Sequence, residues 1–144
     1  MPLPPTPGFV LDASAALSWL FADEQTEAAR ELARQVAREG ALVPAIWHAE
    51  VCNVLLAAER RGRTTAERVR EIVTLLDELP IETDADLPQR TRHEVLDLAR
   101  EQQLTVYDAL YLDLARRRTA TLASLDQQLI RAARAVGVPV TLGA

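Results

Sequence analysis

The stretch "FVLDASAALSWLFADE" (Phe9–Glu24) decides how the rest of the chain is read. Phe9–Leu11 has the length and composition of a buried strand, and the pattern then switches to a helix over Ala13–Phe21. Asp12 stands at the junction. A carboxylate beside a buried strand must be solvated, paired, used as a cap or set on a cation. Working outward, short apolar runs keep alternating with helical patterns. A helix is expected over Gln25–Glu39, ending at Gly40, and a strand over Ala41–Val43, stopped by Pro44. Ile46–Arg61 reads as a helix with Gly62 just past its end, and Thr64–Leu79 as another, opened by a Thr64/Glu67 capping box. A strand follows at Ile81–Thr83, then helices over Leu87–Gln103, with Pro88 near its start, and Thr105–Arg118. Thr121–Ser124 is a strand, Gln127–Val136 a helix and Val138–Leu142 the last strand. This order predicts an α/β fold: a central, mainly parallel five-stranded sheet covered by helices on both faces. In such folds the functional crevice lies at the carboxyl ends of the strands, where Asp12 and Asp126 fall.

The chain has 144 residues, 49% of them hydrophobic, which suits one domain over 1–144 with a sizeable core. No run is long and apolar enough to cross a bilayer. The Pro-rich start, residues 1–7, is expected to be a flexible segment and does not resemble a signal peptide. The lone Cys52 excludes an internal disulfide and any Cys metal pattern, so a cytoplasmic protein is the expectation, with Cys52 a small buried hydrophobe. All 16 basic residues are Arg, against 21 acidic ones, for a net charge of −5. That excludes a protein that wraps nucleic acid in a global basic field. Action on nucleic acid remains open if metal ions and local Arg residues offset the acids where a phosphate lands. Arg60, Arg61 and Arg63, and Arg116, Arg117 and Arg118, are local basic groups or simply solvated helix ends.

Four acids draw attention. In "IWHAEVCNVLLAAERR", Trp47, Val51, Val54, Leu55 and Ala58 form an apolar stripe, and Cys52 and Leu56 extend it until the helix is apolar nearly all round. Glu50 and Asn53 interrupt it on one shared face, so Glu50 needs a partner: an Arg, a hydrogen-bond network or a metal. In "TVYDALYLDLARRR", Asp108 lies in the first turn of a packed helix, where Thr105 and Asp108 also fit a capping box. Asp12 and Asp126 sit at strand-to-helix turns, where Ser14 and Ser124 offer caps and Gln127 could complete a box. Asp12, Asp108 and Asp126 each read alone as capping, and Glu50 alone as the partner of an Arg. Together they would crowd one end of the sheet, and like charges that close persist when a divalent cation neutralises them. The donors are all oxygen, with His48 and His93 outside the pattern as surface or helix-face residues, so Mg²⁺ or Mn²⁺ is selected over Zn²⁺. Asp113, on the helix of Asp108 but off its face, is expected at the surface.

With these residues in hand, the chain resembles a PIN-domain ribonuclease, specifically the VapC-type toxin of a type II toxin–antitoxin system. The stretches that carry the resemblance are "FVLDASA", "VPAIWHAEVCNVL", "LTVYDALYLDLA" and "TLASLDQQL", in that order, with "VGVPVTL" as the closing strand. The resemblance spans residues 8 to 142 and implies a PIN-like α/β/α sandwich. It implies that Asp12, Glu50, Asp108 and Asp126 form an acidic metal site, with Asp126 the most variable position. Ser14, Asn53 and Ser124 match the accompanying hydroxyl and amide positions. It further implies a Mg²⁺-dependent endoribonuclease, with Mn²⁺ able to substitute, acting as a homodimer. A cognate VapB-type antitoxin would then join it in a heterotetramer or larger assembly. Three other readings stay open. A receiver or haloacid-dehalogenase-like phosphatase also places an Asp after its first strand, but uses a Lys this chain lacks, and "DAS" stands where Asp-x-Asp is wanted. A PIN-like module could bind RNA or protein without cutting. A PIN ribonuclease could also work outside toxin–antitoxin systems.

Overall fold

Residues 8–21, 25–85 and 87–142 are described by a computed structural model; the flexible segment expected over residues 1–7 lies outside the described residues. The sheet is β1 (Phe9–Leu11), β2 (Ala41–Pro44), β3 (Ile81–Asp84), β4 (Thr121–Ser124) and β5 (Val140–Leu142), and every pairing is parallel. The spatial order is β3-β2-β1-β4-β5. Val10 lies opposite Leu42 on one side and Leu122 on the other, all three fully buried. The apolar runs thus take the middle, where both faces are covered, and the more polar β3 takes an edge. From β1 the chain moves outward to β2 and β3, and from β4 outward the other way to β5. The boundary between β1 and β4 is therefore a topological switch point, with its crevice at the carboxyl ends of these two strands.

Helices α1 (Ala13–Leu20), α2 (Glu27–Glu39), α3 (Ile46–Arg60) and α4 (Ala66–Glu78) connect β1, β2 and β3. The return to β4 runs through α5 (Pro88–Arg90), a π turn (Thr91–Val95), α6 (Leu96–Gln102) and α7 (Val106–Arg118), and α8 (Gln127–Ala135) leads to β5. Right-handed crossovers set the first group on one face and the second on the other. In accord with this, α3 packs on α1, α4 and β2, and α7 lies across β1, β2 and β4 between α6 and α8. Helix α7 runs back toward the start of β4, so its first turn sits at the carboxyl edge of the sheet.

Several expectations change. The cap of α4 is Thr65, not Thr64: the Thr65 backbone is extended and its hydroxyl accepts from the Arg68 amide at 3.1 Å. Two adjacent threonines are equivalent in sequence, and only the backbone selects between them. The helix expected over Leu87–Gln103 contains the π turn. Arg90 and Val95 are five apart, which an α-helix would separate by about 140°. The wider turn lets Arg90 reach α7 while Val95 enters the core. The last strand begins at Val140 because Gly137 (φ 78°) turns the chain and the Val138 amide still closes on the Ala133 carbonyl at 2.8 Å. Helix α3 buries Trp47, Val51, Leu55 and Ala58, but Val54, Leu56 and Cys52 are exposed, so Cys52 is not a core residue. The helix has neighbours on one side only, and its remaining apolar face meets solvent in the single chain. Among the described residues, no helix is long and apolar enough to cross a membrane.

Candidate active site

At the switch point the strand-to-helix turns after β1 and β4 are joined by side chains. The Asp12 amide donates to the Ala123 carbonyl at 3.1 Å, which extends the β1–β4 pairing to this residue. Asp12 Oδ1 accepts from the Ala15 amide at 2.8 Å, capping α1, and from the Ser14 hydroxyl at 2.7 Å. Its Oδ2 accepts from the Ser124 hydroxyl. Ser14 Oγ accepts from the Leu125 amide and Ser124 Oγ from the Asp126 amide, both at 3.0 Å. Asp126 caps α8 through Oδ1, accepting from the Gln128 and Leu129 amides at 2.9 and 3.2 Å. The caps are thus the two aspartates, not Ser14 and Ser124. Asp12 and Asp126 hold the half-in position where a side chain meets free amides. Ser14 is already inside α1, and Ser124 is still in β4.

The other two acids come from the helices. The Thr105 hydroxyl accepts from the Asp108 amide at 3.1 Å, so the expected Thr105 cap holds and fixes Asp108 in the first turn of α7. Glu50, half-buried on α3, accepts a 2.5 Å hydrogen bond from the Tyr111 hydroxyl. Its partner is therefore a phenol and not an Arg. Tyr111 was legible as a packing residue only; the overlooked signal is the polar tip on a buried ring, three residues after Asp108. Asn53 is exposed and makes no hydrogen bond among the described residues, so nothing in the structure ties it to the cluster.

Electrostatics links the four acids. Burial pushes Asp12 up to about 6; the hydrogen bonds from Ser124, Ala15 and Ser14 oppose this, and Asp126 adds to it. Burial also raises Asp108, helped by Asp126 and Glu50 and opposed by Thr105. Tyr111 is held well above the usual phenol range by burial, by its bond to Glu50 and by the charges of Glu50, Asp12 and Asp108. No Arg pairs with any of the four acids among the described residues. Two of the acids also keep an open oxygen: Asp126 Oδ2 and Glu50 Oε2 accept no hydrogen bond there. The side chains do not yet close on one point, for among the described residues no three His, Cys, Asp or Glu groups form an ion cage as they stand.

The raised acids set a pH dependence. A carboxyl lifted to about 6 contributes stability that is complete below its unfolded value of 3.8 and is lost as pH rises through 6. The metal-free protein should melt higher at about pH 5 than at about pH 7.5. Below about pH 4 the trend reverses as Asp113, which is held low, takes up a proton. Calorimetric melts in chelator check this; a melting temperature that only falls on acidification would contradict it.

Asp113 is not at the surface. It is 6% exposed, on a buried face of α7, and its carboxylate takes Arg90 bidentately at 2.9 and 2.7 Å and Arg117 at 2.9 Å. Burial pushes Asp113 up, but the two guanidinium groups win and hold it below its usual value. Arg117 also reaches Asp84, and Arg118 reaches Asp84 and Glu82, so two of the three Arg at the end of α7 are committed to β3. His48 and His93 are exposed as expected, and His48 Nε2 lies 2.8 Å from Thr83 Oγ1. Beside Ser14 a cleft of about 450 Å³ is lined by Leu17, Phe21, Val54, Arg63 and Leu125, with the Arg63 guanidinium 4.5 Å from the Phe21 ring centre.

A five-stranded parallel sheet between helical layers, with carboxylates gathered at its switch point, defines an α/β/α sandwich with an acidic site. The PIN domain family model matches residues 9–135, and the chain belongs to that family. Among curated proteins it is similar to Ribonuclease VapC3 of Mycobacterium tuberculosis, from strains CDC 1551 / Oshkosh and ATCC 25618 / H37Rv. Each is 29% identical over 144 residues, covering 94% of this chain and 97% of the relative. Among solved structures, PAE2754 from Pyrobaculum aerophilum superposes with a TM-score of 0.70 at 24% identity, covering 93% of this chain and 83% of that one. FitAcB from Neisseria gonorrhoeae superposes with a TM-score of 0.65 at 14% identity, covering 94% and 97%. These two likenesses show the fold.

Proposed function

We propose that this protein is a divalent-metal-dependent endoribonuclease and the toxin of a toxin–antitoxin pair. The observation that carries the reading is Asp12: a 5% exposed carboxylate, raised to about 6, with hydroxyl and amide donors but no cationic partner among the described residues. Among the described residues, Glu50, Asp108 and Asp126 share its want of a cation. Four carboxylates, with no nitrogen or sulfur donor among them, fit a hard divalent ion such as Mg²⁺ or Mn²⁺. Asp12 and Asp108 would hold it, with Glu50 and Asp126 ligating through water or holding a second. The 29% identity to a ribonuclease over nearly the whole chain supports RNA as the substrate.

The reaction is hydrolysis of a phosphodiester: water attacks phosphorus, the bond to the 3′ oxygen breaks, and a 5′-phosphate and a 3′-hydroxyl result. A bound divalent ion supplies Lewis-acid activation of the water and neutralises phosphoryl charge. The chain's own contribution is orientation. Ser14 and Ser124 each donate to Asp12 and accept an amide, so they lock this carboxylate and the turn that carries Asp126. Asn53, exposed one turn past Glu50, is free to meet phosphate or water. Arg63, which lines the cleft beside Ser14, would contact the RNA backbone, which anchors without reading sequence.

The same reading assigns a VapB-type antitoxin as partner and a homodimer as the toxin's own state. The test is cleavage of mixed RNA by the full chain freed of antitoxin, in Mn²⁺ and in chelator. Cleavage in Mn²⁺ alone, giving 5′-phosphate ends, is expected. RNA binding that is equal in both conditions, with no cleavage in either, would establish a non-catalytic module instead.

A further inference from the structure

The Tyr111 hydroxyl reaches the acidic end from the core without capping a helix or carrying a charge. The ring is 1% exposed, anchored in α7 between the buried Ala109 and Leu112. Its oxygen reaches out of the core to Glu50 Oε1 at 2.5 Å. That bond joins α7, which lies on β1, β2 and β4, to α3, which packs on β2 with α1 and α4. It therefore ties one helical layer to the other around the carboxyl edge of the sheet. Tyr111 follows Asp108 by three residues on α7, so one helical turn presents an acid of the cluster and a donor to a second acid.

A buried tyrosine hydroxyl needs a partner, and a neutral acceptor would satisfy it. Here the partner is a half-buried glutamate on the long side chain least able to hold its own place. Asp108 repels Glu50. Without a donor, repulsion and rotamer freedom would both turn Glu50 toward solvent. With Oε1 fixed by the phenol, Oε2 accepts no hydrogen bond among the described residues and stays available. We propose that Tyr111 is a positioning residue that holds the Glu50 carboxylate in place before a divalent ion arrives. This inference rests on the metal-dependent reading above. Side chains hydrogen-bonded to ligands act this way in metal sites generally, by orienting the ligand and removing conformational freedom in advance.

The test is calorimetric titration of the full chain with MnCl₂ alone, for the wild type, Tyr111→Phe, Glu50→Ala and the double variant. Tyr111→Phe keeps the buried ring and removes only the hydroxyl. It is expected to weaken Mn²⁺ binding roughly tenfold. Its melting temperature in chelator should stay within a few degrees of wild type. In the Glu50→Ala background the same change should alter Mn²⁺ affinity by less than about twofold, because no carboxylate is left to position. In RNA cleavage, raising Mn²⁺ should restore kcat for Tyr111→Phe with KM for RNA unchanged. Wild-type Mn²⁺ affinity in Tyr111→Phe would overturn the proposal. So would an equal loss in both backgrounds, or a variant that no longer folds, since either makes the hydroxyl structural. A wild-type chain that binds no Mn²⁺ would overturn the metal reading itself, and Tyr111's role with it.

Discussion

Asp12→Asn is expected to abolish RNA cleavage and, at the same time, to raise the melting temperature of the metal-free protein. The two effects share one cause. Asp12 is ionised at neutral pH against the cost of burial, and its shift from 3.8 to about 6 corresponds to about 3 kcal/mol of penalty. The amide removes that penalty. Its oxygen still accepts from the Ala15 amide and the Ser14 hydroxyl, so the cap on α1 survives. Its nitrogen faces Ser124, whose hydrogen then loses its acceptor, at a cost of about 1 kcal/mol. The net gain is about 1 to 2 kcal/mol, or a few degrees in a domain of this size. The gain should shrink at about pH 5, where wild-type Asp12 is already mostly protonated. On the metal-dependent reading proposed above, cleavage falls because the neutral amide would hold the ion poorly. An electrostatic contribution of about 4 kcal/mol corresponds to roughly a thousandfold in rate. Melts in chelator and single-turnover cleavage in Mn²⁺ read the two effects separately. A destabilised variant would make the Asp12 charge part of the scaffold, and an active one would remove it from the chemistry.

Asp113→Ala is expected to do the opposite: destabilise the fold and spare the chemistry. Asp113 joins α7 to α5 through Arg90 and lies one turn before Arg117, which continues the link to Asp84 at the end of β3. Truncating one partner of a buried pair costs about 3 to 5 kcal/mol, because the opposite charges are left behind without compensation. Here Arg90 and Arg117 keep 32% and 31% of their side chains exposed, so water recovers part of that. A loss of about 2 to 3 kcal/mol is expected after this discount. Urea titration should show a lower midpoint with an unchanged slope. Below its melting transition the variant should still cleave RNA, because Asp108 is held by the Thr105 cap and not by the Arg90 pair. A change under about half a kcal/mol would reduce the network to ordinary surface ion pairs.

The contrast between Asp12 and Asp113 shows what could be read in the chain alone. Both are acids in largely apolar surroundings. Asp12 could be recognised because its neighbours in sequence define a strand and a helix, and the junction between them has a known place in an α/β sheet. Asp113 looked exposed because its partners, Arg90 and Arg117, come from a different segment and from the next turn, and Arg90 reaches it only through a π turn that no periodicity announces. The apolar helix around Glu50 shows that this acid needs a partner, but the partner lies 61 residues away on another layer, beyond the reach of local periodicity. Cys52 failed for the reverse reason. Its helix is apolar on more faces than one chain can cover.

Local patterning by itself determined the strands, most helix limits to within a residue or two, the parallel sheet and the acids that punctuate its carboxyl edge. These depend on residues near one another along the chain, through periodicity, caps and breakers. Tertiary structure alone decided which acid caps and which hydroxyl supports it, which carboxylate meets a guanidinium and which is left without a cation, and that a phenol spans the two helical layers. Those outcomes depend on distance in space and on burial, and a carboxylate's energy is set by the groups that surround it once water is gone.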